Sequence, residues 1–367
     1  MNGAFAQALD RKIVDFIHQS LSEEVGEEQF NGLAVELFAH QFAQNTPYRM
    51  FCMLRRTTPA QVSSWEKIPA APTTAFRAAV LASFSPAKTV RVFETSGTTT
   101  GKPGKHHLDT LMLYDESAIP NFGRHVLPDG ASLPMRILLP TIEEAPHSSL
   151  VYMCRIAADA FAVNAEWYIH DRKLNVDALV EDLGLSVETG DPRILMGPAF
   201  AFVHLFDALA EKQIKFALPA GSRIMETGGY KGKSREVTRE RFYELARDIL
   251  GIPPAWVVNE YGMTELSSQI YDDSLRTLIQ TGSAGPAVKV PPPWVRVRII
   301  DPVTDEPAAP GVPGLIRVTD LANRGSVVSI QTEDIGVQEG GGFRIIGRAK
   351  GADPRGCSLL IDEMLPK

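Results

Sequence analysis

Apolar residues along the opening stretch recur at helical spacing: Phe5, Leu9, Ile13, Phe16 and Ile17 fall on one stripe, and Phe30, Leu33, Leu37 and Phe38 on a second. Residues three or four apart share a helix face, so residues 4–44 are expected to form two amphipathic helices. The pattern breaks at residues 45–49 (Asn-Thr-Pro-Tyr-Arg) and again at 68–72 (Ile-Pro-Ala-Ala-Pro), before a short helix expected over 73–84. From residue 109 to 260 short apolar runs alternate with helical ones, which predicts a sheet with helices packed on its faces. The runs at 135–139, 193–196, 223–225 and 256–258 read as strands. Residues 199–212 and 235–250 read as helices, the second with Val237, Phe242, Leu245, Ala246 and Ile249 on one side. Beyond Pro291 the period becomes two: Val295, Val297 and Ile299 alternate with Arg296 and Arg298, and strand-like runs follow at 315–318, 327–330 and 343–346. The expected organisation is an α/β core over 1–290 with a helical N-terminal segment, and a β-rich subdomain over 291–367.

Composition narrows the function classes. With 367 residues, 44% of them hydrophobic, the chain can bury a substantial core. A net charge of -7 without a basic block argues against a nucleic-acid surface, so any polyphosphate binding must be local. Cys52, Cys154 and Cys357 are far apart and make neither a Cys-x-x-Cys pair nor a zinc spacing, and disulfides are not expected. No basic flank precedes an apolar run at the start, and no apolar stretch is long enough for a membrane span; a soluble cytoplasmic protein with no membrane partner is expected. Cys52 and Cys154 sit in apolar contexts and read as small buried hydrophobes. His204, between Phe202 and Leu205–Phe206, reads as a packed core histidine. His106 and His107, adjacent on a strand, point to opposite faces, so at most one can serve a site.

The candidate chemistry begins at residues 90–108. Val90, Val92 and Phe93 read as a strand that delivers the chain into a loop of small, hydroxyl-bearing residues. Gly97, Gly101 and Gly104 let backbone N–H groups close around an anion, Ser96, Thr98, Thr99 and Thr100 add hydroxyls, and Lys102 and Lys105 add charge. This suits a phosphate. It is not a Walker A loop, since only Thr98, Thr99 and Thr100 separate Gly97 from Gly101 and Pro103 follows Lys102. The same residue types also make ordinary polar turns, and the loop alone does not decide between the two. Two further loops follow expected strands: residues 226–232 (Glu-Thr-Gly-Gly-Tyr-Lys-Gly) and 259–265 (Asn-Glu-Tyr-Gly-Met-Thr-Glu). Loops at strand ends are where the sites of open sheets gather.

Taken in order, residues 95–103 (Thr-Ser-Gly-Thr-Thr-Thr-Gly-Lys-Pro), 261–265 (Tyr-Gly-Met-Thr-Glu) and 332–334 (Thr-Glu-Asp) followed by Gly347-Arg348 resemble the core motifs of adenylate-forming enzymes: acyl-CoA synthetases, peptide-synthetase adenylation domains and luciferases. The resemblance implies an α/β fold of layered sheets with flanking helices, as in the large N-terminal domain of those enzymes. It implies ATP and Mg²⁺ as cofactors and a carboxylic acid as substrate. Residue by residue, Ser96 to Lys102 would hold the β and γ phosphates, with Lys102 aiding catalysis, and Gly228, Gly229 and Tyr230 would lie along the adenine. Tyr261 would stack on the base beside Gly262, Thr264 would contact the α phosphate, Glu265 would hold Mg²⁺, and Asp334 and Arg348 would grip the ribose. The residue types suit those tasks: an aromatic face for a base and acids for a hard cation and a diol. Without the motifs, Asp334 and Arg348 would read as an exposed ion pair.

Residues 47–49 (Pro-Tyr-Arg), 227–232 and 355–358 (Arg-Gly-Cys-Ser) resemble, over the full length, the short acyl-protein synthetases of the LuxE type. That branch implies a member without the mobile C-terminal domain whose lysine assists adenylation, so that activity either borrows a lysine such as Lys102 or Lys350 or proceeds without one. It also implies acyl transfer from the adenylate to a thiol, with an acyl-accepting reductase or carrier protein as partner. Cys357, two residues after Arg355 and among Gly351, Pro354 and Gly356, is the candidate acceptor; its other reading is a structural cysteine in a terminal strand. The alternatives are a truncated acyl- or aryl-CoA ligase and a non-catalytic module that binds a nucleotide or acyl adenylate.

Overall fold

The apolar stripes of the N-terminus form the helices Asn2–Ser22 and Glu27–Gln44. Leu9, Ile13, Phe16 and Ile17 of the first stripe and Phe30, Leu37 and Phe38 of the second are buried, whereas Phe5 is 47% exposed. The structure, a computed structural model, describes residues 2–95, 103–228 and 237–349. Residues 45–49 do not end the helical region but restart it, over Thr46–Leu54. The Asn45 side chain accepts from the Tyr48 N–H, and Pro47 sits in the first turn, where its missing N–H costs nothing. Of the helix expected over 73–84 only Ala75–Ala78 forms. The chain beyond it spends its polar groups elsewhere: Ser83 N donates to Gly325 O at 2.8 Å and Ser83 Oγ to Ser326 O at 2.9 Å.

The chain forms two units. One comprises Met1–Ala118, Met263–Gln269 and Val290–Lys367, the other Ile119–Gly262 and Ile270–Lys289. The division thus differs from a single boundary after residue 290, because the N-terminal helices pack with the β-rich segment. Buried Arg324 reaches Asp10 (2.6 Å) and Asp109 (2.9 Å), and Gln41 donates to Asn323 O (2.9 Å) and accepts from Val328 N (2.8 Å). Arg296 pairs with Glu27 at 2.9 Å and lies over the Phe30 ring. These partners are far apart in sequence, and the period-two pattern carries no trace of them.

In the first unit the strands Val295–Ile300, Gly314–Asp320, Ser329–Glu339 and Gly342–Arg348 make an antiparallel sheet. The short strand Ala71–Pro72 adds in parallel to Ser329–Glu339. A separate hairpin pairs Arg91–Glu94 with Lys105–Leu108. Helix Met112–Val126 carries the chain onward.

The second unit is an α/β layer. Strands Ala165–Trp167, Met135–Ile137, Ile194–Pro198, Arg223–Thr227 and Val257–Tyr261 lie parallel in that order, and Ile270–Asp272 closes the edge antiparallel to Val257–Tyr261. Ile194–Pro198 is buried throughout, as a strand covered on both faces must be. Phe202, Phe206, Phe242, Leu245 and Ile249 of the helices Ala199–Glu211 and Arg239–Leu250 pack against Leu195, Ile224 and Val257. Val237 precedes its helix, which Thr238 caps, and packs on the same core. The helix stops at Gly251, in the left-handed region (φ 74°), where an added Cβ would also come within 3.1 Å of the Ala217 backbone. His204 is exposed, because the inner stripe of its helix is taken by Phe202, Leu205 and Phe206; it is not a core histidine. Cys52 and Cys154 are buried free thiols. Among the described residues no helix is long and apolar enough to cross a membrane.

Candidate active site

Two of the expected motifs meet at the hairpin. Its neck is closed by Thr95 and Gly104: Thr95 N donates to Gly104 O at 2.9 Å, and Gly104 N to Thr95 Oγ1 at 2.8 Å. The residues between include Ser96, Gly97, Thr98, Thr99, Thr100, Gly101 and Lys102, which lie outside the described residues, as do Gly229, Tyr230, Lys350 and Cys357. Against this neck sits Thr264, whose Oγ1 donates to Glu94 O at 3.4 Å and whose carbonyl accepts from His106 Nδ1 at 2.8 Å. Lys105 pairs with Glu94 at 3.0 Å. The register sets His106 opposite Phe93, inward, while His107 is half-buried on the other face, as adjacent strand residues must be.

The segment Met263–Gln269 is fixed by polar side chains that sequence reasoning missed. Asp320, fully buried, accepts from Ser267 N (3.0 Å), Ser268 N (2.9 Å), Ser268 Oγ (2.7 Å) and Ala322 N (3.0 Å). Asn323 donates to Glu265 O at 2.9 Å and accepts from Ser267 Oγ at 2.7 Å. Burial pushes the Asp320 carboxyl up to about 6 despite these donors. Glu265 itself is buried, and desolvation lifts its carboxyl to about 7 against the pull of Arg348 and Arg77, with Asp334 adding to the rise. A cation at this carboxylate would offset that desolvation. Among the described residues there is no cluster of three or more metal-ligating side chains.

Asp334 and Arg348 stand opposite each other in the antiparallel register, and Arg348 Nε donates to Asp334 Oδ1 at 2.9 Å. The Arg348 side chain is 70% exposed and that of Asp334 12%. The structure therefore brings this expected pair together.

In the other unit, Arg223–Thr227 and Val257–Tyr261 run parallel with Glu260 beside Thr227, so Gly228 and Tyr261 follow at the same sheet edge. Tyr261 is buried. Gly262 is tight: a Cβ there would come within 2.0 Å of Glu260 Oε1. Behind this edge runs a buried polar chain that the strand pattern hid. Asn259 Nδ2 donates to Glu226 Oε1 at 2.6 Å; Lys289 Nζ reaches Asn259 O at 2.6 Å and Asp272 at 3.0 Å; Arg239 pairs with Asp272. Desolvation pushes both Glu226 and Glu260 up to about 7, and depresses Lys289. The available signal was an acid at a buried position in each of two neighbouring strands.

The family model described as acyl-protein synthetase, LuxE, matches residues 4–366. A long-chain-fatty-acid–luciferin-component ligase of Aliivibrio fischeri is 22% identical over 360 residues, covering 95% of this chain and 92% of the relative. The protein of the same name from Vibrio harveyi is 21% identical over 335 residues, covering 89% and 85%. Among solved structures, an open conformation of 2-hydroxyisobutyryl-CoA ligase in complex with its acyl-AMP and CoA is similar with a TM-score of 0.65 at 12% identity, covering 88% of this chain and 74% of that one. The likeness is one of fold, and the fold is that of adenylate-forming enzymes.

Proposed function

The chain belongs to the family of LuxE acyl-protein synthetases, and on that premise we propose which of its residues carry the reaction. As a member it is an AMP-forming ligase that makes an acyl adenylate and passes the acyl group on. A carboxylate oxygen of the acid bonds to the α phosphorus of ATP as the bond to pyrophosphate breaks. A thiolate then bonds to the acyl carbon as AMP leaves.

The observation that carries our assignment is the docking of Thr264 on the neck of the hairpin, which joins two motifs 170 residues apart. With Thr264 held there, Ser96 to Lys102 receive the β and γ phosphates, Thr264 meets the α phosphate and Lys102 offsets charge on the leaving group. Glu265 would hold Mg²⁺, which would spread the charge of the leaving pyrophosphate. Gly228, Gly229 and Tyr230 lie along the adenine, Tyr261 stacks on it beside Gly262, and Asp334 and Arg348 take the ribose. We assign the acceptor thiol to Cys357 and the acid to the fatty class, as in the relatives' names. A reductase or carrier protein is the onward partner, and the cytoplasm, where ATP is supplied, is the compartment this reading requires.

The test is acid-dependent exchange of labelled pyrophosphate into ATP across a panel of carboxylic acids, followed by mass spectrometry for hydroxylamine-labile acyl label. Cys357→Ala should lose the label and keep the exchange. Label on another residue, or free acyl-CoA formed at full rate by the variant, would remove Cys357 from the reaction.

A further inference from the structure

His106 is almost wholly buried and touches the segment that the proposed function places on the α phosphate and the metal. Its ring meets Phe76 edge-on, with centroids 5.8 Å apart. A carbonyl oxygen only accepts, so the 2.8 Å contact with Thr264 O requires the proton on Nδ1. Nε2 is buried with no hydrogen-bond partner among the described residues. Among the described residues a second proton there would have no acceptor, and it would lie beside an aromatic ring, so their geometry favours the neutral Nδ1–H form. In agreement, burial depresses its basicity to about 4.

We propose that His106 is a positioning residue for the reaction: its Nδ1–H fixes the Thr264 carbonyl and thereby sets where the Thr264 hydroxyl and the Glu265 carboxylate stand relative to the hairpin neck. The segment is held at three successive levels. Asp320 grips Ser267 and Ser268, Asn323 grips the Glu265 carbonyl, and His106 grips the Thr264 carbonyl. The first two grips come from the sheet side of the same unit; the third comes from the hairpin, which also accepts from Thr264 Oγ1 at Glu94 O (3.4 Å). Of the two ties between hairpin and segment, His106 to the Thr264 carbonyl is the shorter, 2.8 Å against 3.4 Å, and it orients the backbone that carries both Thr264 and Glu265. A neutral imidazole suits this task, since it delivers a directed N–H without adding a charge beside Glu265.

This inference rests on the proposed roles of Thr264 and Glu265, and its test separates the two. The Nδ2 of asparagine falls near the place of histidine Nδ1, whereas the Nε2 of glutamine falls near that of histidine Nε2. In H106Q the KM for ATP and the Mg²⁺ concentration for half-maximal pyrophosphate exchange should each rise about tenfold, the effect of one misplaced buried hydrogen bond. H106N should restore most of the loss. A merely structural histidine would lower thermal stability in both variants and leave the Mg²⁺ dependence of the folded enzyme where it was. Equal behaviour of H106N and H106Q, or failure of H106N to fold alongside H106Q, overturns the proposal. A further measurement needs no activity: the ¹⁵N spectrum of the parent's histidines must show His106 protonated at Nδ1, and a proton at Nε2 overturns the tie whatever the enzyme's substrate. Absence of any acid-dependent exchange in the parent, with the Nδ1 tautomer present, would instead remove the functional reading and leave the contact standing.

Discussion

Asp334 and Arg348 are direct cross-strand partners, joined at 2.9 Å, with the arginine mostly in solvent. An ion pair so exposed contributes about 1 kcal/mol or less to stability. Asp334→Ala should therefore fold with a melting temperature close to the parent's. If the pair takes the ribose, the same variant should raise the KM for ATP by about tenfold or more, the loss of a charge-assisted hydrogen bond. A stable variant with unchanged nucleotide affinity would leave the pair as a surface feature.

Asp320 makes the opposite prediction. It satisfies Ser267 N, Ser268 N and Ala322 N from a fully buried position, and removing it strands those donors. Each stranded donor costs about 1–3 kcal/mol. Asp320→Ala should thus lose about 3 kcal/mol or more, measured by urea unfolding, and lose exchange activity together with stability. A loss of activity at full stability would show that Asp320 acts on the ligand and not on the segment.

Glu226 gives a pH test. Its carboxyl is raised from 4.5 to about 7 by burial, so between those values the folded protein keeps a proton that the unfolded chain has released. Stability contributed by this group therefore falls as pH rises through that window and is lowest above it. Glu226→Gln retains an acceptor for Asn259 and never ionises. It should match the parent at pH 4.5 and exceed it by about 1–2 kcal/mol at pH 8. Glu260 and Glu265, raised likewise, add to the same slope in the parent. A parent more stable at pH 8 than at pH 5 would contradict the burial of these acids in neutral form.

Glu265 separates turnover from binding. Glu265→Gln preserves size and removes the charge offered to Mg²⁺. Pyrophosphate exchange should fall about a hundredfold, with a higher Mg²⁺ requirement, while ATP binding measured by calorimetry without metal should change little. Equal exchange in parent and variant would remove the metal role.

Much of this was legible because the relevant patterns are local. The helical stripes at Phe16 and Phe38, the strand starting at Arg223 and the period-two run at Val295 lie where spacing put them. Motif order alone singles out Thr264 and Glu265. What spacing did not reveal is set by long-range polar pairing. Asn45 and Pro47 look like a break but start a helix, since the same residues serve both ends of the signal. His204 looked inward because its sequence neighbours are apolar, while the helix period turns it out. The roles of Asp320, Asn323 and Lys289 depend on partners from distant segments, and an isolated polar residue does not announce them. Glu226 and Glu260 did leave a trace, as acids beside apolar residues of two expected strands.

The pairing of Arg324 with Asp10 has a consequence for how the protein is made. The two residues are 314 positions apart, so at about 5–20 residues per second the ribosome delivers the arginine roughly 15–60 s after the aspartate. Gln41 waits almost as long for Asn323, 282 positions later. Through that interval Asp10 and Gln41 lack these partners, although Phe30 and Phe38 already have Trp65 and Tyr48 to pack against. The N-terminal helices can thus pack on one another early, but the buried polar ties that join them to the β-rich segment close only after that segment has been synthesised, which places those ties among the last contacts to form.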